Sequence, residues 1–395
     1  MKMKSVGITA EYNPFHNGHL HHLRRSMEES GAEVSIAAMS GYFLQRGQAS
    51  IADKWQRAEA AVKCGVDLVV EIPAVFACSS AGYYASASVE ILENLGADFI
   101  SFGSESGNIE ELKAIAREIK DNRGHIEDCI RDAVKKGISY PRARSETICQ
   151  LLGKEAEKIV ESPNNILALE YINAMRTAQP VAVARTGPGY NDRCPDEEMA
   201  SATAIRYLLS EKKDISAFLP PESAEVFAGV QSPSDDIFFE LLRYKILSSE
   251  AYILEKAPSG GEGLGNKLKK CLRSCSNMEE LADSMKSKRY TRTRIDRFLL
   301  QVLLGIEKDT EYNSYIRILA FSEKGSTYLK EVKKSGRCAL PVITNINREA
   351  AAYPEIRNTL EKDILAADLY NIAAERDLYT FSEYLRKPFY NKGKI

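Results

Sequence analysis

The chain has 395 residues, of which 44% are hydrophobic and 27% are charged, a composition that excludes wholesale disorder and allows two or three domains. Its formal net charge of -2 excludes a general polycation that coats nucleic acid, so any nucleic-acid contact needs a local basic patch. The eight cysteines form no C-x-x-C pair, the polar N-terminus lacks a signal sequence, and no apolar run predicts a membrane span. We therefore expect a soluble cytoplasmic protein with reduced, mostly buried cysteines.

The first hundred residues alternate between strand and helix patterns. Short apolar runs predict strands at residues 5–12, 32–40, 66–72 and 97–102. The segments between them predict helices at residues 18–30, 52–64 and 81–95, each followed by a glycine. Apolar strands that alternate with helices are typical of buried βαβ units, and right-handed crossovers then give a doubly wound parallel sheet. The predicted fold class is therefore α/β.

Beyond this sheet the patterns are mainly helical. Residues 109–180 predict helices, residues 179–185 a fifth strand, and a new helix begins near Ser201. After about residue 215 the strand patterns thin out, and helical periodicity dominates to the end. We therefore predict an α/β domain over residues 1–215 and a mainly α-helical domain over residues 216–395. Ligands of doubly wound sheets bind outside the carboxyl ends of the strands.

The strongest motif is EYNPFHNGHLHH, which follows the first predicted strand. His16 and His19 are three residues apart at a helix start, so both imidazoles lie on one side, beside the positive end of the helix dipole. Gly18 lets a phosphate or a flat ring approach the backbone. The motif predicts a device that stabilises a transferring phosphoryl group. A chance match and a His-x-x-His metal pair are the alternatives, and for His21 and His22 an ordinary helix face is favoured.

A second motif, SATAIR, begins at Ser201. Ser201 is a suitable N-cap, which leaves backbone N–H groups for a phosphate. Thr203 adds a hydroxyl, and Arg206 adds a delocalised cation suited to phosphate oxygens. Alone the segment is an ordinary capped helix, but together with H-x-G-H it is much more specific.

At these two motifs the sequence resembles the HxGH nucleotidyltransferase superfamily, which has a HUP/Rossmann-like fold. Further segments make it similar to the tRNA(Met) cytidine acetate ligase family: SGYFLQRGQASIADKW, CGVDLVVEIP, SFGSE, SPNNILALEY, ARTGPGYND and KSKRYTRTRIDR. The resemblance covers residues 4 to about 345. It implies activation of acetate by ATP as acetyl-adenylate, followed by acetylation of N4 of the wobble cytidine of elongator tRNA-Met. The first domain would then be catalytic, and the second would contact tRNA.

The resemblance also implies site residues. Expected catalytic residues are His16, His19, Thr203 and Arg206. Expected ATP-binding residues are Thr9, Ala10, Glu11, Tyr12, Asn13, Pro14, Phe15, His16, Asn17, Gly18, His19, Leu20, His21, His22, Gly103, Asn164 or Asn165, and Arg185. A turn glycine, a helix start and a structural ion pair are the alternatives for the last four positions. Mg²⁺ is expected to accompany ATP, held chiefly by phosphates and water, and no residue is predicted as a metal ligand.

The basic segment KSKRYTRTRIDR is the candidate for RNA contact. Its cations could neutralise phosphates, and Tyr290 could stack on a base of the anticodon loop. The candidate RNA-binding residues are Lys288, Arg289, Arg292 and Arg294. The alternative is a solvated, partly ion-paired helix face. Guidance of RNA or phosphate by Arg46, Lys54 and Arg57 is a further possibility.

Two other functions stay open at this point. A small-molecule adenylyltransferase would use the same two motifs, but it would not need the long helical region with its basic segment. A non-catalytic RNA-binding protein would not need intact H-x-G-H and SATAIR motifs. The sequence predicts no oligomeric state.

Overall fold

The computed structural model describes residues 2–153, 156–184, 200–261, 263–288 and 290–393. A central sheet contains β1 (Ser5–Ala10), β2 (Val34–Ser40), β3 (Leu68–Ile72), β4 (Phe99–Ser104), β5 (Gln179–Ala184), β6 (Ile316–Ser322), β7 (Val342–Ile343) and β8 (Phe389–Asn391). The strand order is β5-β4-β1-β2-β3-β6-β7, and β8 also pairs with β6. The first five strands are parallel, which confirms the predicted α/β sheet.

Helices cover the sheet and form most of the remaining chain. They are α1 (Asn17–Ser30), α2 (Lys54–Lys63), α3 (Ala74–Ala77), α4 (Ala81–Asn94), α5 (Ile109–Asp121), α6 (Arg123–Lys135), α7 (Tyr140–Leu152), α8 (Glu157–Glu161), α9 (Pro163–Ala174), α10 (Ala202–Ser210), α11 (Pro221–Phe227), α12 (Asp235–Ser248), α13 (Ala251–Leu254), α14 (Leu264–Leu272), α15 (Met278–Met285), α16 (Arg292–Leu304), α17 (Glu323–Ser335), α18 (Ile346–Glu349) and α19 (Arg357–Ala373).

The sheet is buried on both faces. Successive residues of a strand point to opposite faces, and in β2 all seven residues are buried. Ile36 and Ala38 belong to the hydrophobic core shared with α4 and α17. Ala37 and Met39 belong to the core on the other face, which includes α2. Burial on two faces explains why these strands are continuous apolar runs in the sequence.

The C-terminal half adds strands that the sequence analysis did not predict. β6 lies antiparallel to β3, and both β7 and β8 lie parallel to β6. The segment IRILAFS is a short apolar run, and periodicity alone does not distinguish such a run from part of a buried helix. The remaining C-terminal helices α12, α14, α15, α16 and α19 share a separate hydrophobic core, which contacts the loop after β2 through Tyr42 and Phe43.

Two expectations about surface and burial can be compared with the structure. None of the helices in the described part of the chain has the length and apolar character that crossing a membrane requires. The seven described cysteines form no disulfide, but only Cys78 is buried, and the other six are partly exposed. The expectation of mostly buried cysteines is therefore wrong: Cys129, Cys149 and Cys271 lie on partly covered helix faces, and Cys64, Cys275 and Cys338 lie beyond helix ends.

Candidate active site

A cavity of about 460 Å³ lies at the carboxyl ends of β1, β4 and β5, which is the edge that the sheet topology predicts. The turn after β1, the starts of α1, α9 and α10, and the loop after β2 complete its wall. The side chains that carry most of the argument below are those of Glu11, His16, His19, Gln45, Arg46, Asn164, Thr203, Arg206 and Thr293.

The first turn of α1 fixes the two imidazoles. His16 is the N-cap, and its Nδ1 accepts a hydrogen bond from the Gly18 N–H at 3.1 Å. His19 Nδ1 accepts one from the His16 N–H at 3.3 Å, and the two rings stack with centroids 3.7 Å apart. Since Nδ1 is the acceptor in each neutral ring, Nε2 carries the proton. Each imidazole can therefore present an N–H donor to a ligand.

Gly18 leaves the space that this arrangement needs. A Cβ atom at this position would lie 2.9 Å from Cε1 of the His16 ring, closer than real Cβ contacts. The glycine therefore lets the His16 ring cap the helix.

The turn between β1 and α1 is held by buried polar contacts. Asn13 is buried, and its Oδ1 accepts a hydrogen bond from the Ile51 N–H at 2.8 Å. The backbone oxygen of Phe15 accepts one from Ser223 Oγ at 2.6 Å. These bonds connect the turn to the loop after β2 and to α11, so they fix the backbone that carries the histidines.

Helix α10 brings the second motif to the same cavity. Ser201 is its N-cap, as predicted, and its Oγ accepts a hydrogen bond from the Ala204 N–H at 3.0 Å. Arg206 donates to Thr203 Oγ1 at 3.2 Å and to the backbone oxygen of Asn13 at 3.0 Å. The N-termini of α1 and α10, the imidazoles of His16 and His19 and the guanidinium of Arg206 thus surround one space, and each of them favours an anion.

The side of the cavity near β4 separates the two candidate asparagines. Asn164 lines the cavity, and its Nδ2 donates to Glu105 Oε1 at 2.6 Å. Asn165 is buried instead, where its Oδ1 accepts hydrogen bonds from Ser104 Oγ at 2.7 Å and from the Glu105 N–H at 3.1 Å. Asn165 therefore holds the loop after β4, and Asn164 is the asparagine that a ligand would meet.

The structure brings most of the predicted nucleotide-binding residues to the cavity wall. Those that line it are Thr9, Ala10, Glu11, Tyr12, Asn13, His16, Gly18, His19, His21, His22, Gly103 and Asn164. Those that lie elsewhere are Pro14, Phe15, Asn17, Leu20 and Asn165. Arg185 is outside the described residues. The rings of Tyr84, Phe102 and Tyr171 also line the cavity, and no motif in the sequence distinguishes these aromatic residues from core residues.

Two phenols of the cavity wall, those of Tyr12 and Tyr171, stay neutral near pH 7. Burial is the main cause that raises the pKa of Tyr12 and of Tyr171 above the ordinary tyrosine value. Neither ring therefore adds a negative charge to a cavity lined by cationic and N–H groups.

The basic segment reaches the cavity at Thr293, which lies in the first turn of α16 and lines the wall. Lys288 is exposed, whereas Arg292 forms ion pairs with Asp296 at 2.8 Å and with Asp283 at 2.9 Å. The Arg294 guanidinium lies 4.7 Å from the ring centroid of Tyr290. That ring is only 7% exposed, so the expectation that it stacks on a base is wrong. Arg289 is outside the described residues.

Comparisons with known proteins agree with this geometry. The HIGH Nucleotidyl Transferase family model matches residues 3–383. The tRNA(Met) cytidine acetate ligase of Thermoanaerobacter sp. (strain X514) is 38% identical over 395 residues, covering 94% of this chain and 96% of the relative. That of Syntrophotalea carbinolica is 37% identical over 373 residues, covering 90% and 88%. This chain belongs to the tRNA(Met) cytidine acetate ligase family.

Solved structures of the family support the assignment. The apo form of Thermotoga maritima TmcAL superposes with a TM-score of 0.90 at 30% identity and covers 99% of this chain and 100% of that one. A second structure, of Thermotoga maritima TmcAL bound with alpha-thio ATP, gives a TM-score of 0.89 at 30% identity with the same coverage. The chain is thus an enzyme of the ligase family with a nucleotidyl transferase fold.

In this family member, Lys54 and Arg57 do not face the cavity. Arg57 is fully buried, and its guanidinium donates to the backbone oxygens of Ala52, Gly41 and Glu11. Lys54 is 1% exposed and pairs with buried carboxylates. The expectation that these cations guide RNA or phosphate is wrong, because neither reaches solvent. Arg46 does line the cavity.

The tRNA(Met) cytidine acetate ligase fold offers few metal ligands here. Among the described residues no group of three or more His, Cys, Asp or Glu side chains could hold a metal ion. Glu11 is the one carboxylate among the described residues of the cavity wall. A Mg²⁺ ion that keeps its water and binds to phosphates would not depend on such a group.

Proposed function

We propose that this enzyme activates acetate with ATP as acetyl-adenylate and transfers the acetyl group to N4 of the wobble cytidine of elongator tRNA-Met. The observation that carries the proposal is the convergence of the H-x-G-H and SATAIR helix starts on one cavity, joined by the hydrogen bond from Arg206 to Asn13. The names of its relatives, and the ATP analogue bound by the Thermotoga maritima protein, support it.

The first half-reaction needs positioning more than proton transfer. Acetate is ionised near neutral pH, so its attack on the α-phosphate needs no general base, but it brings one anion to another. The Nε2–H groups of His16 and His19, the Thr203 hydroxyl and the Arg206 guanidinium can stabilise the charge on the phosphoryl oxygens. The residues of the cavity wall, among them Gly103 and Asn164, would bind ATP together with Arg185, and Mg²⁺ would neutralise phosphate charge.

The second half-reaction needs a bound RNA. We infer that residues 216–395 contact tRNA through the basic segment, with Lys288, Arg289, Arg292 and Arg294 facing the phosphates. Thr293 supports this placement, because it belongs to the segment and lines the cavity. An anticodon loop offers unpaired bases, so the target cytosine can enter the cavity without the opening of a duplex. The cytoplasm, where tRNA and ATP are available, is the expected location.

The proposed function is tested by incubating the protein with ATP, Mg²⁺ and radiolabelled acetate, with and without unmodified elongator tRNA-Met. We expect label on the tRNA, recovered as N4-acetylcytidine after digestion. Absence of label on tRNA, with label on a small molecule instead, would contradict the proposal and favour the adenylyltransferase.

The RNA surface has a separate test. Lys286 and Lys288 are exposed and form no ion pair among the described residues, so their replacement by alanine should weaken tRNA binding and flatten its salt dependence. Lys333 and Lys334, exposed on α17 away from the cavity, give a control variant with the same charge change. Equal salt slopes in the two double variants would place the RNA elsewhere.

A further inference from the structure

Glu11 has an unusual position for a residue near a triphosphate. The other ionisable or hydrogen-bonding groups around it, including His16, His19, Arg46 and Arg206, suit anions. Like charges repel each other strongly at short range in a site that partly excludes water. A carboxylate here opposes the binding of phosphate and acetate, so the first half-reaction alone does not explain the charge of Glu11, which the resemblance places among the ATP-binding residues.

The Glu11 carboxylate is held in place from one side only. Its Oε1 accepts a hydrogen bond from the Gln45 N–H at 3.0 Å, and its backbone oxygen accepts one from Arg57 Nη1 at 2.5 Å. Gln45 in turn donates through Nε2 to the backbone oxygen of Ser79 at 3.2 Å. Oε2 accepts no hydrogen bond from the described residues. The side chain is half-buried, so one oxygen is fixed and the other is available to a ligand.

Glu11 lies between the H-x-G-H turn and the loop after β2. It precedes the H-x-G-H turn in the chain, and its hydrogen bond to Gln45 ties it to the loop after β2. The same loop packs against α16, which carries the second half of the basic segment. A Cβ atom on Gly47 would lie only 2.5 Å from the backbone nitrogen of Arg297 in this helix. Glu11 therefore lies where an acceptor brought by the basic segment would meet an adenylate held by the histidines.

We propose that Glu11 is the general base of acetyl transfer, an inference that rests on the proposed function. The N4 amine of cytidine attacks the carbonyl carbon of acetyl-adenylate, and a C–N bond forms. The bond between that carbon and the phosphate oxygen breaks, and AMP leaves with the electron pair. The proton of the amine passes to Glu11 Oε2 and then to water. A positioned carboxylate contributes about 10²–10⁴-fold to such a step.

The test separates the two half-reactions in Glu11→Gln. Glutamine has the same shape, and its Oε1 can still accept from the Gln45 N–H, but it cannot take the proton. Acetate-dependent exchange of radiolabelled pyrophosphate into ATP measures the first half-reaction. Transfer to tRNA from synthetic acetyl-adenylate measures the second. Glu28→Gln is the matched control, since Glu28 is an exposed residue of α1 paired with Arg25.

We expect transfer by Glu11→Gln to fall by about 10²-fold or more, and exchange to fall at least about tenfold less than transfer. Glu11→Asp keeps a carboxylate but withdraws it, and its transfer should lie between the two. Normal transfer by Glu11→Gln would overturn the inference. A parallel loss of exchange and transfer would also overturn it and assign Glu11 to the binding of ATP or Mg²⁺. If the wild type itself transfers no acetyl group to tRNA, the proposed function fails and this inference fails with it.

Discussion

Two clusters of polar side chains lie within the same fold, and they are built on opposite principles. The cavity cluster consists of His16, His19, Thr203 and Arg206. It is anchored by backbone hydrogen bonds, and its rings and guanidinium line an open cavity. The buried charge cluster consists of Lys54, Glu71, Arg317 and Glu383, each at most 2% exposed. Both contain cations, but only the first can meet a ligand, so access rather than charge marks the site.

The buried charge cluster joins the N-terminal sheet to the C-terminal tail. Lys54 Nζ lies 2.7 Å from Glu71 Oε2 and 3.0 Å from Glu383 Oε2. Glu383 Oε1 also accepts hydrogen bonds from Tyr42 at 2.8 Å and from the Trp55 indole at 3.0 Å. Burial raises the pKa of Glu71 despite the opposing charge of Lys54. Pairing of opposite charges makes such burial tolerable, although Nε and Nη1 of Arg317 have no hydrogen-bond partner among the described residues.

The largest effect is expected for Lys54→Met. Removal of the ammonium leaves two buried carboxylates with less compensation, so the free energy of unfolding should fall by about 3–5 kcal/mol. Denaturant unfolding measures it. Lys63→Met, at the other end of α2, is the control, because its pair with Glu59 is partly exposed and should change stability by less than about 1 kcal/mol. Equal losses in the two variants would contradict the comparison.

The second prediction concerns the cavity cluster. His16→Asn keeps an N-cap acceptor and His19→Gln keeps the capping-box partner, but neither keeps an imidazole donor. Each should lower acetyl-adenylate formation by about 10²-fold, or about 2.7 kcal/mol, while the melting temperature changes little. Exposed His125 on α6 gives the control His125→Asn. Near-normal turnover in both cavity variants would remove the phosphate role from these histidines.

The pH dependence of the stability of Lys54→Met tests whether the lysine compensates the buried carboxylates. Lys54 lowers the pKa of both Glu71 and Glu383 in the folded state, so both folded-state pKa values should be higher in the variant than in the wild type. Protonation then favours the folded variant more than the folded wild type, so the stability deficit should shrink as the pH falls from about 8 to about 5. Unfolding curves recorded at several pH values measure this. A deficit that grows on acidification would show that the lysine does not compensate these carboxylates.

The smallest effect is expected for Gly18→Ala. The new Cβ would push the His16 ring from its place, and turnover should fall by about tenfold with little loss of stability. Gly124 on α6 has nothing within 4 Å of the position of a Cβ, so Gly124→Ala should keep full turnover. Unchanged turnover in Gly18→Ala would mean that the ring position is not important.

The cavity cluster could be predicted from the sequence, and the buried charge cluster could not. The H-x-G-H turn and the Ser201 cap are local, so neighbouring residues determine them. The environment of Lys54 depends on Glu383, which also accepts a hydrogen bond from the neighbouring Trp55. Glu383 lies 328 positions after Trp55 in the chain, so no local pattern indicates this contact. Thr293 reaches the cavity through similarly distant packing. β6 was missed because a short apolar run does not reveal its partner strand.

In the proposed mechanism, acetate attacks the α-phosphate of ATP inside the cavity cluster. Acetate labelled with oxygen-18 in both oxygens tests it directly, with mass analysis of the nucleotide product after transfer to tRNA. Attack at this phosphorus and later cleavage of the acyl bond leave one acetate oxygen on the phosphate, so we predict AMP that carries one oxygen-18 per turnover. AMP without the label, or ADP as the nucleotide product, would contradict the account.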